Sequence, residues 1–242
     1  MKEFNLKDIV RPNIWSLQPY SSARDEFTGT EGIFLDANEN PFGNDNRYPD
    51  PHQKFLKQKL AELKGNDIKP ENIFIGNGSD EVIDLVYRIF CEPGKDKVII
   101  CPPTYGMYEV SANIHNVGII SAKLNDDFQL DTDTILNQED AKAIFICSPN
   151  NPTGNDINNI EKILESFNGI VVVDEAYIDF SDKDSLVSML DKYPNLLVMQ
   201  TFSKAWGLAS ARVGIAYAST EIIGLMNKTK PPYNVSAPNQ AR

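Results

Sequence analysis

The feature that most constrains this chain is a recurring alternation between two kinds of segment. Short runs rich in Val and Ile, several of them apolar throughout, occupy residues 73–76, 97–101, 117–122, 143–147, 170–174, 196–202 and 213–218. A strand with one wet face alternates apolar and polar residues. A strand apolar on both faces belongs inside a mainly parallel sheet that is covered on both sides. Longer amphipathic segments lie between many of these runs. Residues 52–63 follow Pro51, which suits a first helical turn because it has no N–H to leave unpaired, and they stop at Gly65. Residues 79–90 open on Ser-Asp-Glu, which supplies a capping hydroxyl and carboxylates at the positive end of a helix dipole. Residues 105–115 and 158–167 are further helices by the same reasoning. Strands separated by helices predict a three-layer α/β domain. A chain of 242 residues supplies one such domain and its core, but not two complete ones.

The first thirty or so residues lack this periodicity and carry Pro12 and Pro19, so residues 1–30 read as an extended arm in front of a domain over 31–242. The formal net charge of -11 argues against nucleic acid or an anionic membrane as partner, since both reward clustered Lys and Arg. It leaves anionic small molecules open, because a few local basic groups suffice for them. Cys91, Cys101 and Cys147 have neither CxxC spacing nor an even count, which predicts reduced thiols and neither a disulfide framework nor a zinc site. The N-terminus MKEFNLKDIVRPN has no apolar core of a signal peptide, and no run approaches the length of a membrane span.

Chemistry-bearing residues gather where the apolar runs end. In TFSKAWGLASARVGIAYA (201–218), Lys204 follows a strand, with Thr201 and Ser203 before it and Arg212 after it. A lysine amine forms Schiff bases with aldehydes, and hydroxyls with a guanidinium suit a phosphate dianion. Taken alone, Lys204 reads rather as a strand-end lysine reaching water. In GIVVVDEAYIDF (169–180), Asp174 stands at the carboxyl end of a strand, where open α/β sheets bind ligands. It can pair with a protonated ring nitrogen, cap a helix or bind a metal. In CSPNNPTGN (147–155), Asn151 can donate to a phenolate oxygen or belong to an ordinary Asn/Pro/Gly turn. GNGSDE (76–81) offers backbone N–H groups at a helix start, either as a phosphate cradle or as a capped end. It matches neither a Walker A loop nor GxGxxG.

The order decides among these readings. Gly-Ser-Asp, NNPTG, DEAY, Ser-Lys and then Arg212 reproduce the motif order of the aspartate-aminotransferase superfamily, the fold-type I pyridoxal-phosphate (PLP) enzymes. Within it the chain most resembles the histidinol-phosphate aminotransferases, through LDANENPFG (35–43), RYPDP (47–51), PPTYGMY (102–108), CSPNNPTG, VVDEAYIDF and TFSKAWGLASARVGIA. The resemblance implies the PLP-binding large domain of a fold-type I transferase, with a mainly parallel sheet. It implies pyridoxal 5'-phosphate as cofactor and transamination of L-histidinol phosphate with 2-oxoglutarate in histidine biosynthesis.

Carried over by position, Lys204 would hold the cofactor covalently and shuttle a proton, and Asp174 would bind the ring nitrogen. Asn151 and Tyr177 would hold the phenolic oxygen, and Tyr105 would stack on the ring. Gly78, Ser79, Asp80, Ser203 and Arg212 would bind the phosphate, with Thr201 as a neighbour. Tyr48 would reach the site of a partner subunit, implying a homodimer, and Tyr20 in the arm would sit near substrate. The resemblance also implies a cytoplasmic enzyme acting on small molecules, and a smaller C-terminal domain, holding the substrate-binding arginines, that this sequence does not contain. The expectation is therefore a shortened chain with impaired turnover. Rival readings are a PLP decarboxylase of a phosphorylated amino acid, an aromatic aminotransferase, or a PLP-binding fragment without catalysis.

Overall fold

The computed structural model describes residues 4–21, 32–65, 67–138 and 140–241. Its centre is a seven-stranded sheet: β1 (Ile73–Asn77), β2 (Lys97–Ile100), β3 (Gly118–Ser121), β4 (Ala141–Cys147), β5 (Ile170–Asp174), β6 (Leu196–Thr201) and β7 (Val213–Ala218). Each apolar run read from the sequence is one of these strands. The order across the sheet is β1-β7-β6-β5-β4-β2-β3. Strands β2 to β6 are parallel to their neighbours among themselves, while β7 runs antiparallel to both β6 and β1.

The apolar runs are continuous because both faces of the sheet are covered. Along β5, Ile170 and Val172 enter one core cluster and Val171 and Val173 the other, all fully buried. At about 1.5–3 kcal/mol for each such side chain, a polar residue on either face would be costly. Helices α1 (Leu6–Ile9), α2 (Pro12–Trp15), α4 (Ser79–Phe90), α5 (Met107–Ile114) and α8 (Thr220–Thr229) cover the first face. Helices α3 (Lys54–Lys64), α6 (Thr132–Leu136) and α7 (Ile160–Ser166) cover the second, and a last short helix, α9 (Ala237–Gln240), lies near the C-terminus. These are the three layers that the alternation predicts.

Part of the segment expected to be an arm is anchored. Ile9, Val10 and Ile14 are buried in the first core cluster. The Arg11 guanidinium bonds the Arg88 carbonyl at 2.9 Å and Glu92 at 3.0 Å, and its backbone N–H bonds the Ile89 carbonyl at 3.0 Å. It thereby satisfies carbonyls that the end of α4 leaves without intrahelical partners. Residues 1–3 and 22–30 of that expectation lie outside the described residues. Helix α8, which the sequence reading did not single out, starts at Ser219, whose hydroxyl accepts from the Ile222 N–H, and buries Ile222, Ile223, Leu225 and Met226. The three cysteines are free and buried. Among the described residues, no helix is long and apolar enough to cross a membrane.

Candidate active site

Strand direction brings the chemistry to one edge. Strands β4, β5 and β6 are parallel and end at Cys147, Asp174 and Thr201, with Cys147 level with Asp174 and Asp174 level with Met199. Because β7 runs the other way, it begins at this edge, level with the end of β6 through Thr201 and Gly214. Because β1 opposes β7 in turn, it ends here as well, with Asn77 opposite Val213. The result is a pocket partly open to solvent. Asp80, Tyr105, Asn151, Asp174, Tyr177 and Lys204 line it, as do Ser79, Thr201, Ser203 and Arg212. It brings together ten of the twelve cofactor residues expected from the sequence.

At its floor, Asp174 is only 4 % exposed. The Tyr108 hydroxyl donates to one carboxylate oxygen at 2.5 Å and the Ala176 N–H to the other at 3.0 Å. Burial dominates these contacts and pushes the carboxyl up to about 6. Among the described residues it has no ion-pair partner. A buried carboxylate held by two neutral donors, each oxygen still able to accept, fits a cationic ring nitrogen. The Lys204 amine lies 5.3 Å over the ring centroid of Tyr177, at the mouth of the same pocket.

The end of the pocket at the start of α4 is built by close backbone approach. Gly78 has φ +78°, and its N–H bonds the Arg212 carbonyl at 2.8 Å. Gly78 therefore shapes the turn, while the Ser79 and Asp80 N–H groups that open α4 have no intrahelical partner and are free for an anion. Arg212, itself in the left-handed region at φ +52°, reaches Asp80 at 3.3 Å, and the Tyr105 hydroxyl reaches the other Asp80 oxygen at 3.4 Å. The Arg212–Asp80 pair is half exposed, and such pairs hold weakly enough for the guanidinium to turn to a phosphate. The Thr201 hydroxyl bonds Ser203 Oγ at 3.1 Å and accepts from the Ser203 N–H at 3.2 Å. Thr201 thus braces the turn and presents Ser203 to the pocket.

A model of the family "Aminotransferase class I and II" matches residues 30–241. The histidinol-phosphate aminotransferase of Christiangramia forsetii is 58 % identical across 98 % of this chain and 69 % of its own length. That of Cytophaga hutchinsonii is 58 % identical across 96 % of the chain and 69 % of its own. The chain belongs to the class I and II aminotransferases. Among solved structures, the histidinol-phosphate aminotransferase of Sinorhizobium meliloti in complex with pyridoxal-5'-phosphate has TM-score 0.72 and 27 % identity, over 81 % of this chain and 55 % of that one. The enzyme from Clostridium acetobutylicum has TM-score 0.71 and 26 % identity, over 81 % and 60 %. The chain thus spans about two thirds of the length of its curated relatives and less of these solved chains. The cofactor of this family is pyridoxal phosphate.

Two tyrosines singled out from the sequence stand apart from this aminotransferase pocket. Tyr48 is half exposed and stacks on Tyr233 at 4.4 Å, beside a separate depression. Tyr20 is 70 % exposed. Sequence reasoning also missed contributors. Asn150, not Asn151, ties the loops together: its amide bonds the Pro103 carbonyl at 2.9 Å and Thr153 at 2.7 Å, and it accepts from Thr104 at 3.1 Å. That fixes Tyr105 over the pocket and leaves the Asn151 amide for a ligand. Tyr108, Cys147 and Ala176 were likewise unassigned. Tyr108 sits three residues beyond Tyr105 in PPTYGMY, at helical spacing that reads as core.

Proposed function

We propose that this chain carries the cofactor site of an enzyme that transaminates L-histidinol phosphate with 2-oxoglutarate in histidine biosynthesis. The observation that carries the reading is the meeting of Lys204 and the buried Asp174 in one pocket, in a chain 58 % identical over nearly all its length to proteins named histidinol-phosphate aminotransferase. Pyridoxal phosphate supplies an aldehyde that takes up amines and a ring that draws electrons from the carbon where a bond breaks. Asp174 keeps a proton on the ring nitrogen, which a buried carboxylate without a counter-ion does strongly. Lys204 would be the amine that holds the cofactor's aldehyde and the base that moves a proton at the reacting carbons. Asn151 and Tyr177 would donate to the phenolic oxygen, and Tyr105 would cover the ring. The phosphate is held by the backbone of Ser79 and Asp80 with the Ser203 hydroxyl and the Arg212 guanidinium, in a turn shaped by Gly78 and braced by Thr201.

Tyr48 reaches the corresponding pocket of a second copy in this reading, which makes the working unit a homodimer. The strongly exposed Ile33, Leu35 and Phe42 near it in sequence support a covered surface there. Tyr20 serves the substrate side. The enzyme acts in the cytoplasm.

The test has two arms. Protein loaded with cofactor and reduced with borohydride should give one pyridoxyl adduct, on Lys204, by peptide mass spectrometry. With histidinol phosphate as donor, Asp174→Asn should retain bound cofactor and lose amino transfer by about 10²-fold or more. An adduct on another lysine, or near-normal transfer in Asp174→Asn, would overturn the reading.

A further inference from the structure

Asp174 owes its orientation to a residue that does not touch the pocket's contents. Tyr108, on α5, is fully buried, and its hydroxyl donates to Asp174 Oδ2 at 2.5 Å. Its ring cannot swing away. It stacks on Phe145 at 5.0 Å and 17°, and meets Tyr105 edge-on at 5.6 Å and 85°. Its carbonyl accepts from the Tyr87 hydroxyl at 2.7 Å, and Tyr87 stacks on the other neighbours, Phe145 at 5.3 Å and His115 at 5.6 Å. A phenylalanine would fill the same slot, so packing does not account for the hydroxyl. What it adds is one strong donor, in a low-dielectric setting, aimed at one carboxylate.

We propose that Tyr108 is a positioning residue for the transamination site: its hydroxyl holds Asp174 facing the pocket and ionised, and so sets how firmly the cofactor's ring nitrogen keeps its proton. This rests on the assignment of Asp174 to the ring nitrogen. Other groups act on the same carboxylate. Asp80 across the pocket opposes its ionisation and Lys204 favours it. The Cys147 thiol on β4 and the Tyr105 hydroxyl also face it. None of these hydrogen-bonds to Asp174, and Tyr108 is its one side-chain donor among the described residues. Burial pushes the Tyr108 hydroxyl far above its ordinary range, so it remains a protonated donor at every working pH. With the bond intact, Asp174 titrates at about 6. A donor to the charged form lowers a carboxyl's titration, so removing it raises the midpoint.

The experiment follows the Asp174 carboxyl by infrared difference spectroscopy on the full chain without cofactor, its band identified by its loss in Asp174→Asn. Tyr108→Phe should move the midpoint up by about one to two pH units, the worth of one charge-assisted hydrogen bond. Genetic replacement of Tyr108 by 3,5-difluorotyrosine, a more acidic phenol and stronger donor, should move it down. Opposite shifts from two side chains of nearly equal shape are what a structural role cannot produce. An unchanged midpoint in Tyr108→Phe overturns the proposal. If that variant fails to fold, the difluorotyrosine protein decides alone: a downward shift supports the proposal and no shift overturns it. The readout is separable from the functional reading. Amino transfer surviving in Asp174→Asn defeats that reading whatever the midpoints do, and immobile midpoints defeat the Tyr108 role even when Asp174→Asn is inactive.

Discussion

Gly214 offers the sharpest test of how the phosphate turn is built. It is the second residue of β7, opposite Thr201, and the turn at Gly78 crosses directly over it. A methyl group at Gly214 would fall on Ser79 N and Gly78 C and lie 2.7 Å from Gly78 O. All three are backbone atoms, so no rotamer change relieves the overlap. Ordinary contact begins near 3.5 Å, so the turn must retreat from β7 by about 1 Å. Overpacking of this kind costs about 1–3 kcal/mol, or roughly 3–10 °C in melting temperature for a chain of this size. The retreat also breaks the Gly78 N–H bond to the Arg212 carbonyl, which is 2.8 Å long. Gly214→Ala should therefore lower the melting temperature and weaken pyridoxal-phosphate affinity by tenfold or more. Gly224→Ala is the control: Gly224 is exposed on α8, has nothing within 4 Å of the added methyl group, and should be neutral or slightly stabilised. Differential scanning fluorimetry and a cofactor titration read both quantities. A Gly214→Ala protein that melts and binds like the parent would show that β7 and the turn are not in this contact.

Two further outcomes follow from buried charge. Burial lifts the Asp174 carboxyl to about 6, above its unfolded value of about 3.9, so the folded chain binds more protons between those values and loses stability as pH rises through that window. Cofactor-free Asp174→Asn should then melt above the parent at pH 7.5, by up to about 3 kcal/mol, with the advantage gone below pH 4; a parent equally or more stable at pH 7.5 refutes this. Lys57 is 7 % exposed, and burial with Lys230 nearby pulls its amine down to about 8, so the folded state is penalised at neutral pH and relieved as pH rises from 8 toward the unfolded value of about 10.4. Lys57→Met should raise the melting temperature at pH 7, with the gain vanishing above about pH 10.4; a gain that does not depend on pH would point to packing instead.

What could be read from the sequence follows the length scale of each signal. The strands were legible because burial on both faces leaves continuous apolar runs, and α4 because its cap chemistry and period are local. The position of β7 was not. Its residues are as apolar as those of β5, and nothing local states that it enters antiparallel between β6 and β1. Helices α1 and α2, of 4 residues each, are too short to show a period. At the site, Lys204 and Asp174 were visible because they end apolar runs. Tyr108 was hidden because its partner lies 66 residues away on another element, and a tyrosine at helical spacing reads as core. Motif position singled out Asn151 but said nothing of its neighbour; only the fold shows Asn150 as the brace.

The reversed strand explains why weak local motifs become one site. If β7 were parallel to β6, its first residue would lie at the opposite edge, and Arg212 would be a strand length of about 20 Å from Lys204. Antiparallel entry places Arg212 beside the end of β6, and the second reversal returns the end of β1, with Gly78 and the start of α4, to the same edge. Two reversals thus bring residues 78–80 and 212 together across 132 positions of chain. Parallel strands β4, β5 and β6 supply Asn151, Asp174 and Lys204 by the ordinary rule for the carboxyl ends of such sheets. The two halves of the pocket therefore have different origins. One half is a consequence of parallel strands ending at one edge. The phosphate half depends on β7 lying against the turn at Gly78, which is why a single methyl group at Gly214 is expected to disturb anion binding more than a larger change in the loops around Asn151.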